Sequence, residues 1–522
     1  MTSVFYNNFH INNVYTKDNK LLNIYYSKTV SNCNNYIFNT LKENKGAKQV
    51  IFTPDRMTLQ IEQKLFDALD EKCFFDIEVT TLTRFTNRIV INNNINTRVL
   101  TKPVCVALIK KILMENKDKF TTIKKAINYN GFASTLFDTI SMFKSCNVPV
   151  DKINVDTKSH NLNQKLNDLK LVYECYENFL KNDYTDSFNK LDLLVNLIKG
   201  EDFSNTHFYF IGFDDFTPQM YNIISALIKK SASVNVACAV NFIDELNNKN
   251  IFLNNIYLNL LDLCTINGYK YNRVYCKDNY QSEFKIISNN LFAINPVRTD
   301  TQPNNIQLYK FNNPEDESLF VIKKIQELII NQNIGYNDIN IVVPNIADYR
   351  PVLERLFLSY NIPYFFDESQ MITDSVLVRF YSDLFELINA NFNKRELFNF
   401  FRYYSGLNTE VLNSFENMII KTGINYSTIL SRPHNFDITG LEEVYLVLDK
   451  LTAFKEDLKD CNSINDYCCR LEQFTEEFGF NNYLNNLSEE FKLHNNVLEY
   501  NRLNNIVNKV NKGFKELKDV LC

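Results

Sequence analysis

Short apolar runs alternate with helical periodicity over residues 20–90. LLNIYY leads into a helix near 34–44, QVIFTP into a helix near 56–70, and IEVTT into a helix near 82–90. Strands that read as near-continuous apolar runs, separated by helices, predict a parallel sheet buried on both faces. Between 101 and 200 the rhythm changes. PVCVALIKKILMENK, GFASTLFDTISMFKSC and LNDLKLVYECYENFLK all have helical spacing with no evident strand, so a helical insertion interrupts the sheet. Strands resume at 207–212 and 233–239, with a further one near 270–276. The connector AINPVRTDTQPNN (293–305) marks a domain boundary. Beyond it, strand IQLYKF, helix ESLFVIKKIQELII, strand INIVVP, helix YRPVLERLFLSY and strand PYFF predict a second α/β unit; from about 372 to 522 the pattern is helical.

The richest stretch is HFYFIGFDDFTPQMYNIISALIKKSASVNVACAV, from residue 207. A buried strand ends in a polar turn carrying Asp214 and Asp215, followed by a helix and another strand. Acidic residues just beyond the carboxyl end of a strand sit at the edge of an open α/β sheet where ligands bind. They have two readings: carboxylates holding Mg²⁺, or charges capping the following helix, since Asp favours the N-cap and the positive end of the helix dipole. The second is the simpler.

Composition narrows the function classes. The chain has 522 residues, 45% of them hydrophobic, enough for several cores. Its net charge of −5 gives no overall basic field, so nucleic-acid binding would have to be local. Seven lysines (Lys102, Lys110, Lys111, Lys117, Lys119, Lys124 and Lys125) face only Glu115 and Asp118, a local excess of five positive charges. Such an excess suits phosphates or an ordinary solvated helix face. The twelve cysteines are scattered apart from Cys468 and Cys469, and the five histidines lack ligand spacing, so no metal site is assigned. No apolar run reaches the length of a membrane span, and MTSVFYNNFH shows neither a basic n-region nor an apolar h-region, so secretion is not expected. A reduced, cytoplasmic protein is expected.

Two α/β domains, each interrupted or followed by helices, form the layout of superfamily 1 helicases. Residues 334–367, IGYNDINIVVPNIADYRPVLERLFLSYNIPYFFD, resemble the second motor domain of UvrD-like proteins. VIFTPDRMTLQIEQKLFDAL (50–69), VTTLTRFTNRIV (79–90) and FYFIGFDDFTPQMYNIISAL (208–227) resemble the AddB family, called RexB in some lineages. The resemblance implies tandem RecA-like parallel-sheet domains with large helical insertions, the second incomplete. The first would comprise 1–100 plus 201–292 around an insertion at 101–200, then a linker at 293–305, a partial second domain at 306–371 and a helical domain at 372–522.

The resemblance also implies a nucleotide site, and here the residues depart from it. A phosphate loop needs glycines whose backbone N–H groups cradle phosphates. YYSKTVSNCNN (25–35) has none, with Asn32 and Cys33 at the places of the Lys and Ser/Thr; Lys28 and Thr29 are at most a displaced remnant. Asp214, Asp215 and Arg350 complete the degenerate site, Arg350 having Glu354 four residues on as a simpler partner. For DNA, the family pattern points to Thr58 and Arg84. Arg56 stands where glutamine is usual, Leu82 where an aromatic is usual and Asn87 where tryptophan is common. Lys110 and Lys111 join this set. No catalytic residue is assigned.

The expected function is a DNA-binding, helicase-like, ATPase-inactive region of an AddB-type subunit in double-strand-break processing and recombinational repair. It would guide one strand from a DNA end beside an AddA-like motor that uses ATP and Mg²⁺. The family's nuclease metal centre and iron–sulfur cluster are expected only in a C-terminal region absent from these residues, which read as an N-terminal portion or a truncated frame. The alternative is a helical scaffold that docks the motor without recognising DNA. It predicts partner binding that survives charge reversal at Arg56 and Arg84.

Overall fold

The computed structural model describes residues 21–521 apart from 70–72, 130, 154–157, 182–183, 241–250, 278–281, 292–295, 299, 301–302, 368–371, 373–374 and 424–439. His10, His434, Cys522 and part of the 293–305 connector therefore lie outside the described residues. The chain divides into two compact units, 1–301 and 302–522.

The first unit is built on six strands: β1 (Leu21–Ser27), β2 (Lys48–Phe52), β3 (Ile77–Thr80), β6 (Phe203–Phe210), β7 (Ser231–Ala239) and β8 (Lys270–Tyr275). Every pairing is parallel, in the order β3-β2-β6-β7-β1-β8. Successive residues point to opposite faces, and helices cover both. Ile51, Tyr209, Ile211 and Ala237 pack on α1 (Val30–Glu43) and α2 (Thr58–Leu69). Val50, Phe52, Phe208, Phe210 and Val236 pack on α3 (Leu82–Asn92), α7 (Ser187–Ile198), α8 (Pro218–Lys230) and α9 (Ile251–Asn267). Phe52 centres an aromatic cluster, edge-on to Phe85 at 5.1 Å and stacked with Phe208 at 5.7 Å. Such ring contacts add to burial energy. His207 lies within central strand β6, its Nδ1 2.8 Å from the Ser233 hydroxyl, rather than at a strand edge.

Between β3 and β6 lie α4 (Lys102–Glu115), α5 (Phe132–Ser145), α6 (His160–Leu180) and α7. Contrary to the sequence reading, this helical region also contains a small strand pair, β4 (Arg98–Val99) with β5 (Tyr184–Thr185). A buried ion pair holds it together. Lys144 Nζ lies 2.5 Å from Asp186, whose other oxygen accepts from the amides of Phe188 and Asn189 to cap α7. A cap that is also a salt-bridge partner fixes where α7 starts. The Asp168 carboxylate accepts from the amides of Thr121, Thr122 and Ile123, so the turn after α4 is also clamped.

α10 (Ser282–Asn290) follows β8, and in the second unit α11 (Pro314–Gln332) packs against α12 (Ile346–Ser359) through Ile322, Ile325, Leu353 and Phe357. The three strands expected at IQLYKF, INIVVP and PYFF form no ladder among the described residues. Leu308 is 98% exposed, Val342 93% and Phe365 87%, and a cleft of about 670 Å³ opens between the helices and residues 339–343 and 362–367. Their composition suits strands, but a ladder needs partners and a covered face, which this pair of helices does not supply. Among the described residues beyond 375, α13 (Val376–Asn389), α14 (Lys394–Tyr404), α15 (Thr409–Thr422), α16 (Leu441–Asp460), α17 (Ile464–Phe478), α18 (Phe480–Leu493) and α19 (Val497–Leu521) surround a core containing Phe380, Phe400, Phe454 and Phe474.

Candidate nucleic-acid interface at the sheet edge

Because all six strands are parallel, their carboxyl ends open onto one edge, and most of the candidate residues gather there. Arg84 follows β3, Arg56 follows β2, Asp214 and Asp215 follow β6, and Lys28 and Thr29 follow β1. Neighbouring strands lie about 4.8 Å apart. Arg84, Arg56 and the acidic pair thus leave three adjacent strands, while β7 separates the acidic pair from residues 28–29.

The β1 turn is tight. Only Lys28 and Thr29 stand between the end of β1 and the start of α1. Thr29 occupies the cap position but makes no side-chain cap bond; the Ser31 hydroxyl lies 3.3 Å from its Oγ1, and Asn32 Nδ2 donates to Ser27 Oγ at 3.4 Å. The fully buried Cys33 thiol faces the Cys238 carbonyl at 3.7 Å. A hydrogen bond with the Cys276 thiol, together with burial, pushes it well above the usual thiol range. The turn has two residues and no glycine, and the side chains around it bond one another.

The turns after β2 and β6 are built against each other. PDRM after β2 forms one 3₁₀ turn, with Arg56 exposed at its centre. Thr58, expected to face a strand, is buried as α2 begins, its hydroxyl donating to the Asp55 carbonyl at 3.1 Å. Gly212 adopts φ +81°, and a Cβ there would stand 2.7 Å from Met57 Sδ. Only glycine permits both that backbone and that approach. Asp214 and Asp215 are exposed, and Asp215 accepts from the Phe216 amide at 2.8 Å. They do not cap α8 as expected. Thr217 does, accepting from Met220 N at 3.3 Å, because Pro218 takes the first helical position and sets the cap one residue before it.

After β3, Thr81 caps α3 by accepting from Arg84 N at 3.2 Å, which leaves the Arg84 side chain exposed on the first turn. Sequence reasoning misses Lys190. It reaches from α7 to α3, donating to Asn87 Oδ1 at 2.6 Å. Its only advance signal is its place four residues after the capping Asp186.

Other candidates lie elsewhere. Lys110 and Lys111 sit on α4, and the Lys110 ammonium donates to the Ile127 carbonyl. Much of the lysine stretch is engaged: Lys102 pairs with Asp138 at 2.7 Å and Lys124 with Asp118 at 2.8 Å. Arg350 belongs to the second unit, where it pairs with Glu354 at 3.4 Å and lies 5.3 Å from the Phe366 ring centre. Among the described residues no group of three or more His, Cys, Asp or Glu is placed to hold a metal, and no helix is long and apolar enough to cross a membrane.

Comparison with known proteins agrees with this architecture. The family described as ADDB, N-terminal matches residues 27–289. Among curated relatives, the B subunit of the ATP-dependent helicase/deoxyribonuclease of Clostridium botulinum (strain Langeland) is 24% identical over 518 residues, covering 92% of this chain. The same-named protein of Caldanaerobacter subterraneus subsp. tengcongensis is 26% identical over 485 residues, covering 84%. That of Clostridium perfringens (strain SM101) is 25% identical over 472 residues, covering 85%. The chain spans 45%, 42% and 40% of those proteins' lengths respectively. With a family match that covers five of the six strands of the sheet and the helical insertion, and with these relatives beside it, the chain belongs to the AddB N-terminal family.

Proposed function

We propose that this chain is the helicase-like region of an AddB-type subunit that guides a single DNA strand along the sheet edge without hydrolysing ATP. The observation that carries this reading is the makeup of the edge itself. Two exposed arginines leave adjacent strands, while the β1 turn has two residues and no glycine. Arginines offer charged donors to phosphates wherever a strand passes. The exposed acidic pair stands across β7 from that glycine-free turn.

In this reading ATP and Mg²⁺ are used by a motor subunit of the AddA type, consistent with the relatives' names, which make each of them one subunit of a larger ATP-dependent enzyme. The chain itself requires no cofactor. Nuclease chemistry and any iron–sulfur cluster belong to polypeptide of the kind that fills the rest of the relatives' length. The site of action is the cytoplasm, at DNA ends undergoing recombinational repair. The apolar segments between 306 and 366, which form no ladder among the described residues, support reading that stretch as part of a second RecA-like layer.

Fluorescence anisotropy of the purified chain with a forked DNA end, titrated with salt with and without ATP–Mg²⁺, tests the proposal. Salt-sensitive binding that ignores nucleotide is expected. ATP-dependent binding, or DNA-stimulated ATP hydrolysis by the chain, would overturn the reading of the β1 turn; absent binding would favour a protein scaffold.

A further inference from the structure

β8 closes one end of the sheet, and one face of it carries an open row of side chains. The register pairs Leu22 with Tyr271, Ile24 with Arg273 and Tyr26 with Tyr275, so these three β8 residues stand on the face where Leu22 and Ile24 are buried in the core. On β8 the same row is exposed, Tyr271 to 42% and Tyr275 to 53%, with Arg273 exposed between them. Contacts with its neighbours order the row. Arg273 Nη1 donates to the Tyr257 hydroxyl at 3.3 Å, the Tyr257 ring meets Tyr26 edge-on at 5.3 Å, and Tyr26 lies 5.6 Å from the Tyr275 ring.

The charge here is one-sided. Residues 270–277, KYNRVYCK, hold three cations and no acid, with Lys270 and Lys277 exposed at either end. Among the described residues Arg273 forms no ion pair, and its hydrogen bond goes to an uncharged tyrosine. Cations on an edge strand deter pairing with other chains. That role does not account for two exposed tyrosine rings in the same row, four residues or about 13 Å apart along the strand, with a guanidinium between them. Such a row suits a ligand that repeats a flat ring and an anion. A peptide carries both only in particular sequences, whereas every nucleotide has a base and a phosphate.

We propose that Tyr271, Arg273 and Tyr275 form a stacking platform for single-stranded nucleic acid, the rings taking bases and Arg273 a phosphate, with Tyr257 as the positioning residue that holds the guanidinium. The platform lies on a face of the sheet, at the end opposite β3, and does not depend on a strand path along the carboxyl edge. Because every base has a π-face, the contact tolerates any sequence.

Photocrosslinking of the wild-type chain to oligothymidine carrying 4-thiothymidine, with peptides read by mass spectrometry, tests this without a variant. Crosslinks within residues 270–277 are expected; none there under saturating oligonucleotide would overturn the proposal. Tyr271→Ala and Tyr275→Ala should each weaken binding by about fivefold or more with an unchanged salt dependence. Arg273→Gln should flatten the dependence of log K on log salt by about 0.7, the value of one single-strand phosphate contact. Tyr271→Ala, at an exposed position, keeps the test decisive even where Tyr275→Ala, which loses the Tyr26 contact, fails to fold. Unchanged affinity in both Tyr271→Ala and Arg273→Gln would overturn the platform, as would polyglutamate binding at this row in place of the oligonucleotide, which would make it a protein-docking surface. If an Arg56→Glu, Arg84→Glu variant keeps full affinity while the β8 variants lose it, the platform stands and the carboxyl-edge path fails; the reverse result overturns the platform alone.

Discussion

Residues 21–80 and residues 306–366 share an alternation of apolar runs with amphipathic helices, yet only the first closes into a ladder. In the first, β1, β2 and β3 take partners from β6, β7 and β8, which arrive after a long helical insertion, and helices seal both faces. In the second, two helices pack on each other and the apolar segments beside them stay open, with Leu308, Val342 and Phe365 almost fully exposed. The pattern specifies what a segment can become. Whether it becomes a strand depends on partners remote in sequence, because a strand needs a neighbour to pair with and a face that is covered.

The sharpest contrast is in stability. Phe52→Ala should cost about 3–5 kcal/mol in denaturant unfolding followed by circular dichroism, because it empties a fully packed aromatic site. Phe365→Ala, at an exposed site, should change stability by no more than about 0.5 kcal/mol. Equal effects would mean that the second segment is packed after all. Hydrogen exchange reads the same difference along the backbone. Amides of 48–52 and 206–210 should exchange only through global opening, while those of 306–311, 339–343 and 363–366 exchange at nearly unprotected rates.

A smaller effect is expected at Gly212→Ala, which would force a side chain into positive φ and against Met57. It should cost about 1–3 kcal/mol and, by prising the β6 turn from the PDRM turn, weaken DNA binding more than it weakens the fold. Loss of stability with unchanged affinity would show that the two turns do not act together.

The mildest effect is a pH response confined to the first unit. Burial lowers the His207 pKa in the fold, so the unfolded chain takes up a proton first. Stability from this residue is complete above about pH 6.5 and falls as pH drops below it. His207→Gln should abolish that slope in thermal unfolding curves at pH 5 and 7.5.

How much of this is legible in the sequence follows from the same physics. The first sheet can be read because its strands are continuous apolar runs buried on both faces, and the glycine-free 25–35 stretch can be read because loop chemistry is local. Helix capping reads less well: Asp214 and Asp215 look like caps, but Pro218 fixes the helix start and hands the role to Thr217. Family resemblance points to Thr58 as a surface contact, whereas its hydroxyl is spent on the Asp55 carbonyl. No local pattern can find Lys190, because its partner Asn87 lies 103 residues away in sequence. Asn87 itself reads only as a lost stacking surface. The β4–β5 pair is invisible for a similar reason: strands of two residues carry no periodicity.

The most direct test of the central claim is the affinity of an Arg56→Glu, Arg84→Glu double variant for a forked DNA end at low salt, beside wild type and a control with Lys124→Glu. A loss of at least about tenfold with unchanged folding, worth about 1.4 kcal/mol, is the result expected if the strand runs along this edge. Affinity equal to wild type, or a loss matched by the control, would contradict it and leave the edge without a role in DNA binding.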